Sequence, residues 1–243
     1  MKREADKLLI EQLQQQILAM QSSHVQTGDL SALGLGAIES AFPGKVFPCG
    51  AVHELISLSS EEASCTNGFI AVMLGKLMRQ NGCCIWISTQ RKIFPPALKV
   101  FGVDPERIIF VDAWPLKNVL WTIEEALKCN SLSAVIGEVS GLSFNDSRRL
   151  QLAVEKSKVT GFIHRPQPKV INTVACVSRF RITPVASSLP DNMPGVGFPR
   201  WNVELLKVRN GQPGKWLVQW GTKGLEYISE ESIIPQPFQR KTA

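Results

Sequence analysis

Hydrophobic and polar positions alternate along this chain with two different periods, and the changes of period mark its elements. Within residues 3–21, Leu9, Leu13, Ile17 and Met20 fall near i, i+4, i+8 and i+11 on one face, with Glu, Gln and Lys on the other. That spacing predicts an amphipathic helix over residues 1–22. Residues 23–41 are rich in Gly, Ser and small residues and are expected to form a linker. From Ala51 the pattern becomes short apolar runs separated by helical ones. AVHELI, CCIWIS, RIIFVDA, LSAVIGEV and VTGFIHR read as strands. NGFIAVMLGKLMRQ, PPALKVFGV, LKNVLWTIEEALKC and NDSRRLQLAVEKSKV read as helices, the last capped by Asn145 or Asp146. Such an order implies right-handed crossovers and an α/β core, residues 42–185, with a mostly parallel sheet covered on both faces. CVSRFRITPV adds a strand. Residues 186–199 hold four of the prolines in PVASSLPDNMPGVGFP within or beside them and are expected to be a loop. In 200–243, WNVELLKVR and KWLVQW flank the turn NGQPGK as a β-hairpin, followed by a short strand and a tail expected to be disordered.

Composition narrows this picture only slightly. At 243 residues and 44% hydrophobic, the chain is long enough for one sizeable core. Its net charge of +6 suits a nucleic-acid or acidic-protein partner, and equally an ordinary soluble domain. The six cysteines include no C-x-x-C pair and lie mostly in apolar runs, as reduced thiols of a cytoplasmic protein do. Three scattered histidines give little support to a zinc site. With no signal-peptide core and no apolar run near the ~20 residues of a membrane helix, a soluble, cytoplasmic protein is expected. Neither a metal nor a cofactor is expected.

The first strand-to-helix turn is the place where many α/β proteins carry a glycine-rich phosphate loop. Here that turn reads LSSEEASCTNG and lacks the Gly-Lys-Ser/Thr signature. Ser57 closes the strand, Glu61 and Glu62 put carboxylates into the expected loop, and Thr66 is expected to open the helix. Carboxylates at that point repel phosphates. Gly44-Lys45 is a decoy, because it sits in a Phe-Pro-Gly-Lys turn with no helix behind it.

The run from GAVHELI through FIAVMLGKLMRQNG, CIWISTQ and LKVFGVDPERIIFV to SAVIGEV is similar in order and spacing to the core of the RecA recombinase. That resemblance places Gln90 where RecA-type enzymes carry a catalytic Glu, and an amide has no titratable oxygen with which to act as a base. It places Glu138 at the Walker B position, where a carboxylate suits a metal. Within that superfamily, FPCGAVHELI, LWTIEEALKC, AVIGEV, SRRLQLAVEKSKVTGF and PRWNVELLKVRNG resemble the ImuA family, over about residues 42–220. ImuA proteins are RecA-like accessory proteins of bacterial inducible-mutagenesis cassettes. The resemblance implies a non-catalytic role in translesion synthesis and the SOS response. Its implied partners are an ImuB-like polymerase homologue, RecA and an error-prone C-family polymerase. The cell-division inhibitor SulA is a more distant likeness, so binding of FtsZ is one alternative. A degenerate recombinase paralogue binding single-stranded DNA is the other.

Several side chains carry two readings each. Leu9, Leu13, Ile17 and Met20 form either a stripe that docks on a partner or one that folds back on the core. Arg148, Arg149, Lys156 and Lys158 share one helix, as phosphate contacts or as a solvated face. Arg179 and Arg181 share one strand face and are the other candidates for DNA phosphates. Trp201, Trp216 and Trp220 either stack on bases or staple the hairpin to the sheet. His53 and Glu54 are adjacent on a strand, point to opposite faces, and cannot act on one substrate together.

Overall fold

The computed structural model describes residues 33–78, 82–187 and 195–228. The expected helix at 1–22, with Leu9, Leu13, Ile17 and Met20, and the expected tail beyond residue 228 lie outside them. One nine-stranded sheet organises the described chain. Its strands are β1 (Val52–Ser57), β2 (Cys83–Ser88), β3 (Ile108–Asp112), β4 (Leu132–Glu138), β5 (Thr160–Pro166), β6 (Ser178–Val185), β7 (Arg200–Val208), β8 (Gly214–Gly221) and β9 (Gly224–Tyr227). In space they run β3-β2-β4-β5-β1-β6-β7-β8-β9. The six from β3 to β6 are parallel, and β7, β8 and β9 continue antiparallel. The hairpin is therefore an extension of the core sheet, joined through the β6–β7 pairing.

Helix α1 (Ser60–Leu77) covers one face, where Phe69–Leu74 pack on Leu55, Phe162, Phe180 and Ile182. Helices α2 (Leu116–Leu127) and α3 (Phe144–Ser157) cover the other, setting Val119, Ile123, Leu150 and Val154 against Val52, Val135 and Ile163. α1 is buried from Gly68 to Leu74, so it is apolar all round there; α2 and α3 keep one wet face each. Trp201 of β7 reaches Phe69 of α1 and Phe101 edge-on or tilted. Gly68 makes room for it, since a Cβ there would lie 2.9 Å from the Trp201 ring.

β1 is buried along its whole length although it carries His53, Glu54 and Ser57. A central strand tolerates this only when each polar group has a partner. His53 bonds Ser178 Oγ at 2.7 Å and Pro48 O at 2.9 Å on one face. Glu54, on the other face, accepts from both Arg165 and Arg179. The opposed directions expected of this pair are thus observed. The β5–β6 connection then lies over the arginine side of the sheet, held by its own carbonyls. Val170, Asn172, Val174 and Ala175 accept from Arg165, Arg179, Lys207 and Arg209 in turn.

Four local expectations differ from what is observed. Residues 33–41, the end of the expected linker, are packed into the core: Leu35 and Ile38 are fully buried. A 3-10 turn at Gly36–Ala41 is clamped by Tyr227, whose hydroxyl donates to Leu35 O and accepts from Ile38 N. Apolar residues spaced among the glycines carry that segment inward, a pattern that composition alone hides. Pro95–Phe101 is 3-10 rather than α, bounded by Pro95-Pro96 and by Gly102 at φ 76°. α3 is capped by Ser143, not by Asn145 or Asp146, and Asp146 is the reciprocal member of its capping box. Finally, α1 begins at Ser60, well ahead of Thr66.

Candidate functional site at the carboxyl edge of the sheet

The early start of α1 decides the character of the site. β1 ends at Ser57 and α1 begins at Ser60, so only Leu58 and Ser59 link them. A phosphate loop needs several residues whose backbone N–H groups can wrap around an anion. Here two of those donors are occupied by the chain itself. Ser59 caps α1, accepting from Glu62 N at 3.2 Å, and Glu62 Oε2 accepts from Leu58 N at 2.8 Å. Arg181 of β6 closes the arrangement with Nη2 2.6 Å and Nε 3.2 Å from the two oxygens of Glu62. The Arg181 hydrogen bond is the main cause that holds the Glu62 carboxyl below its ordinary value, against the opposing effect of burial. Glu62 is therefore a structural group and not a loose loop charge; Glu61 stays exposed in the first turn.

Beneath this cap lies a buried polar chain. Ser57 Oγ is 2.8 Å from Thr66 Oγ1 and 2.9 Å from His164 Nε2. A serine bonded to a histidine invites a nucleophile reading, but Ser57 and Thr66 are fully buried, and burial drives the His164 pKa down to about 3. A neutral imidazole of that acidity is a poor base near pH 7, and no substrate reaches the hydroxyl. The second ring nitrogen, Nδ1, has no hydrogen-bond partner among the described residues.

A cavity of about 550 Å³ opens in front of these groups, lined among others by Asn67, Gln90, Lys92, Glu138 and His164. Glu138 ends β4 and accepts from Trp86 Nε1 at 2.7 Å. Burial raises its carboxyl above the ordinary value, partly countered by the Trp86 bond and by Lys92. Among the described residues, no group of three or more His, Cys, Asp or Glu is placed to hold a metal. Nor is any described helix long and apolar enough to cross a membrane.

No protein-family profile matches the chain. Protein ImuA of Caulobacter vibrioides (strain NA1000 / CB15N) is 32% identical over 220 residues, covering 86% of this chain and 87% of that protein. The chain belongs to the ImuA family. Cell division inhibitor SulA of Photorhabdus laumondii is 32% identical over 107 residues, which is 42% of this chain and 60% of the inhibitor. The crystal structure of the RadB recombinase superposes on 82% of this chain and 99% of its own, with TM-score 0.54 and 14% identity. This likeness is one of fold, and the fold of this ImuA-family chain is RecA-like.

On that fold, Gln90 and Glu138 come together at the cavity, while Ser57 and Thr66 lie below it, bonded to each other. Arg179 and Arg181 do share a strand face, but each guanidinium is committed, to Glu54 and to Glu62 respectively. Neither is presented as a free phosphate contact. Arg148 and Arg149 are exposed on α3, where Arg149 pairs with Glu124 of α2. Lys156 lines the same inter-helix groove as Arg149, as the seven-residue spacing predicts, and Lys158 is the left-handed residue that ends α3. Trp201 and Trp220 pack against Phe101 rather than presenting their rings for bases. His164, Lys92 and the Glu62–Arg181 pair escaped sequence reasoning. Only His164 left a signal, as a polar residue near the carboxyl end of an otherwise apolar strand.

Proposed function

We propose that this ImuA-family chain is a cytoplasmic, non-hydrolysing accessory protein of SOS-induced translesion synthesis. In this reading it links RecA or damaged DNA to an ImuB-type polymerase homologue, and through it to an error-prone C-family polymerase. The observation that carries the non-catalytic part is the two-residue β1–α1 junction, where the Leu58 and Glu62 N–H groups are taken by the Glu62 and Ser59 side chains and the Glu62 carboxylate is held by Arg181. Gln90 in place of a general base supports the same reading. Family membership supports the mutagenesis role. Purified protein is expected to release no phosphate from ATP above a no-protein blank; turnover that disappears in Glu138→Gln would refute the non-catalytic reading. For the partners, a tagged chain is recovered from DNA-damaged native cells and its companions are identified by mass spectrometry. Recovery of RecA and the mutagenesis polymerases supports the linking role, and their absence in favour of FtsZ overturns it. The likeness to SulA is the observation that makes FtsZ the second reading, and filamentation of cells overproducing the chain is its cheap test.

A further inference from the structure

α2 and α3 lie side by side on one face of the sheet, and their wet faces leave a groove between them. Two adjoining depressions, about 330 and 430 Å³, follow it from Leu116 and Asp146 at one end to Lys128 and Lys156 at the other. Two large apolar side chains stand open on it: Trp121 is 61% and Leu152 53% exposed. Single exposed apolar residues are ordinary; an aromatic and a leucine facing one groove, rimmed by charge, mark a contact surface.

The charges state the partner's chemistry. Lys117, Lys128, Arg149 and Lys156 line the groove against two carboxylates, Glu124 and Asp146. Both carboxylates are engaged internally: Glu124 with Arg149 and Lys128, Asp146 in the cap of α3 with Ser143. Lys117 and Lys156, at opposite ends, form no ion pair among the described residues. A second copy docking through the same face would set lysine against lysine. A nucleic acid would gain the lysines but meet Trp121 and Leu152 at the level of its phosphates, with two carboxylates beside them.

We propose that the α2–α3 groove docks an acidic amphipathic helix of a partner protein, its apolar stripe on Trp121 and Leu152 and its glutamates or aspartates on Lys117 and Lys156. The twelve residues of α2 span about 18 Å at 1.5 Å per residue, so the groove takes roughly three turns of a helix. The inference goes beyond the accessory role, and it stands or falls independently of which cassette protein supplies the helix.

The test is fluorescence anisotropy of the full chain with a labelled 14-residue helical peptide carrying Leu at i, i+3, i+4 and i+7 and Glu elsewhere, alongside the same peptide with Lys for Glu. The acidic peptide is expected to bind, at least tenfold more weakly to Leu152→Glu and to Lys156→Glu, and the basic peptide not to bind. Both positions are exposed, so unchanged thermal unfolding of the variants confirms that folding is intact. Equal binding of the two peptides, or binding of neither, overturns the proposal. So does single-stranded DNA binding lost in the same two variants, which assigns the groove to nucleic acid. A concentration-dependent dimer abolished by Leu152→Glu overturns it in favour of self-association.

Discussion

Two regions of the molecule treat charge in opposite ways. Around β1, Glu54 is fully buried and held between Arg165 and Arg179, and Glu62 is clamped by Arg181 beneath a capped helix. In the α2–α3 groove the ion pairs are mostly exposed, and lysines remain over beside open Trp121 and Leu152. Charge buried and hydrogen-bonded to neighbouring segments fixes backbone: here it seals the β1–α1 junction and pins the β5–β6 connection. Charge left at a rim beside apolar surface costs little stability and is available to steer a partner. The difference teaches that the charges around β1 serve the fold, while the α2–α3 surface carries the features of contact.

Removing Glu54 attacks the comparison most directly. Glu54→Gln leaves two guanidiniums buried beside a neutral amide and is expected to cost about 3–5 kcal/mol, read as a lowered urea midpoint. A loss under about 1 kcal/mol would place that cluster with the surface pairs and erase the contrast.

Acid tests the buried histidines next. Burial lowers His53 to about 4 and His164 to about 3, against an ordinary 6.5. The unfolded chain therefore binds protons first, so stability is full above pH 6.5 and falls as the pH drops toward those folded values. The slope approaches about 1.4 kcal/mol per pH unit for each histidine. Urea midpoints between pH 7 and pH 4 measure it, and His164→Gln should remove about half of the slope. An unchanged slope in that variant would show that His164 is not held neutral.

At Gly68 the expected cost is smaller. Gly68→Ala puts a methyl group 2.9 Å from the Trp201 ring, and overpacking of this kind costs about 1–3 kcal/mol. Thermal unfolding reads it, and Trp201→Phe in the same chain should recover part of the loss. The smallest effect belongs to the exposed pair. Arg149→Ala should change stability by at most about 1 kcal/mol, although Arg149 and Glu124 are in contact. A larger loss would mean that the groove is part of the structure's support and not a free rim.

Much of this molecule was legible before any coordinates. The apolar runs AVHELI, CCIWIS, RIIFVDA, LSAVIGEV and VTGFIHR are strands, and the helical periods between them are α-helices except at Pro95–Phe101, because burial on two faces of a parallel sheet imposes those patterns locally. The opposed faces of His53 and Glu54 follow from strand geometry alone. The motif reading of the first turn misplaces the start of the helix. SSEEASCTNG is mostly helix, and Thr66 sits inside it rather than opening it. The local signal for that start is Ser59 followed three residues later by Glu62, a helix-capping spacing; what is not local is Arg181, 119 residues later in the chain, which holds the Glu62 carboxylate.

By itself, then, the sequence determined the order of elements, the parallel core and the absence of a phosphate-binding signature, all of which rest on side-chain period and on residue type. Tertiary structure alone decided which charges are spent and which are free. Arg179 and Arg181 look like Arg148 and Arg149 on the page, yet the first two are tied to carboxylates from distant segments and the second two are exposed. It also drew Leu35 and Ile38 out of an apparent linker into the core. A charge or a leucine has no fixed role until the fold supplies its neighbour, and those neighbours are set by crossovers that no local pattern records.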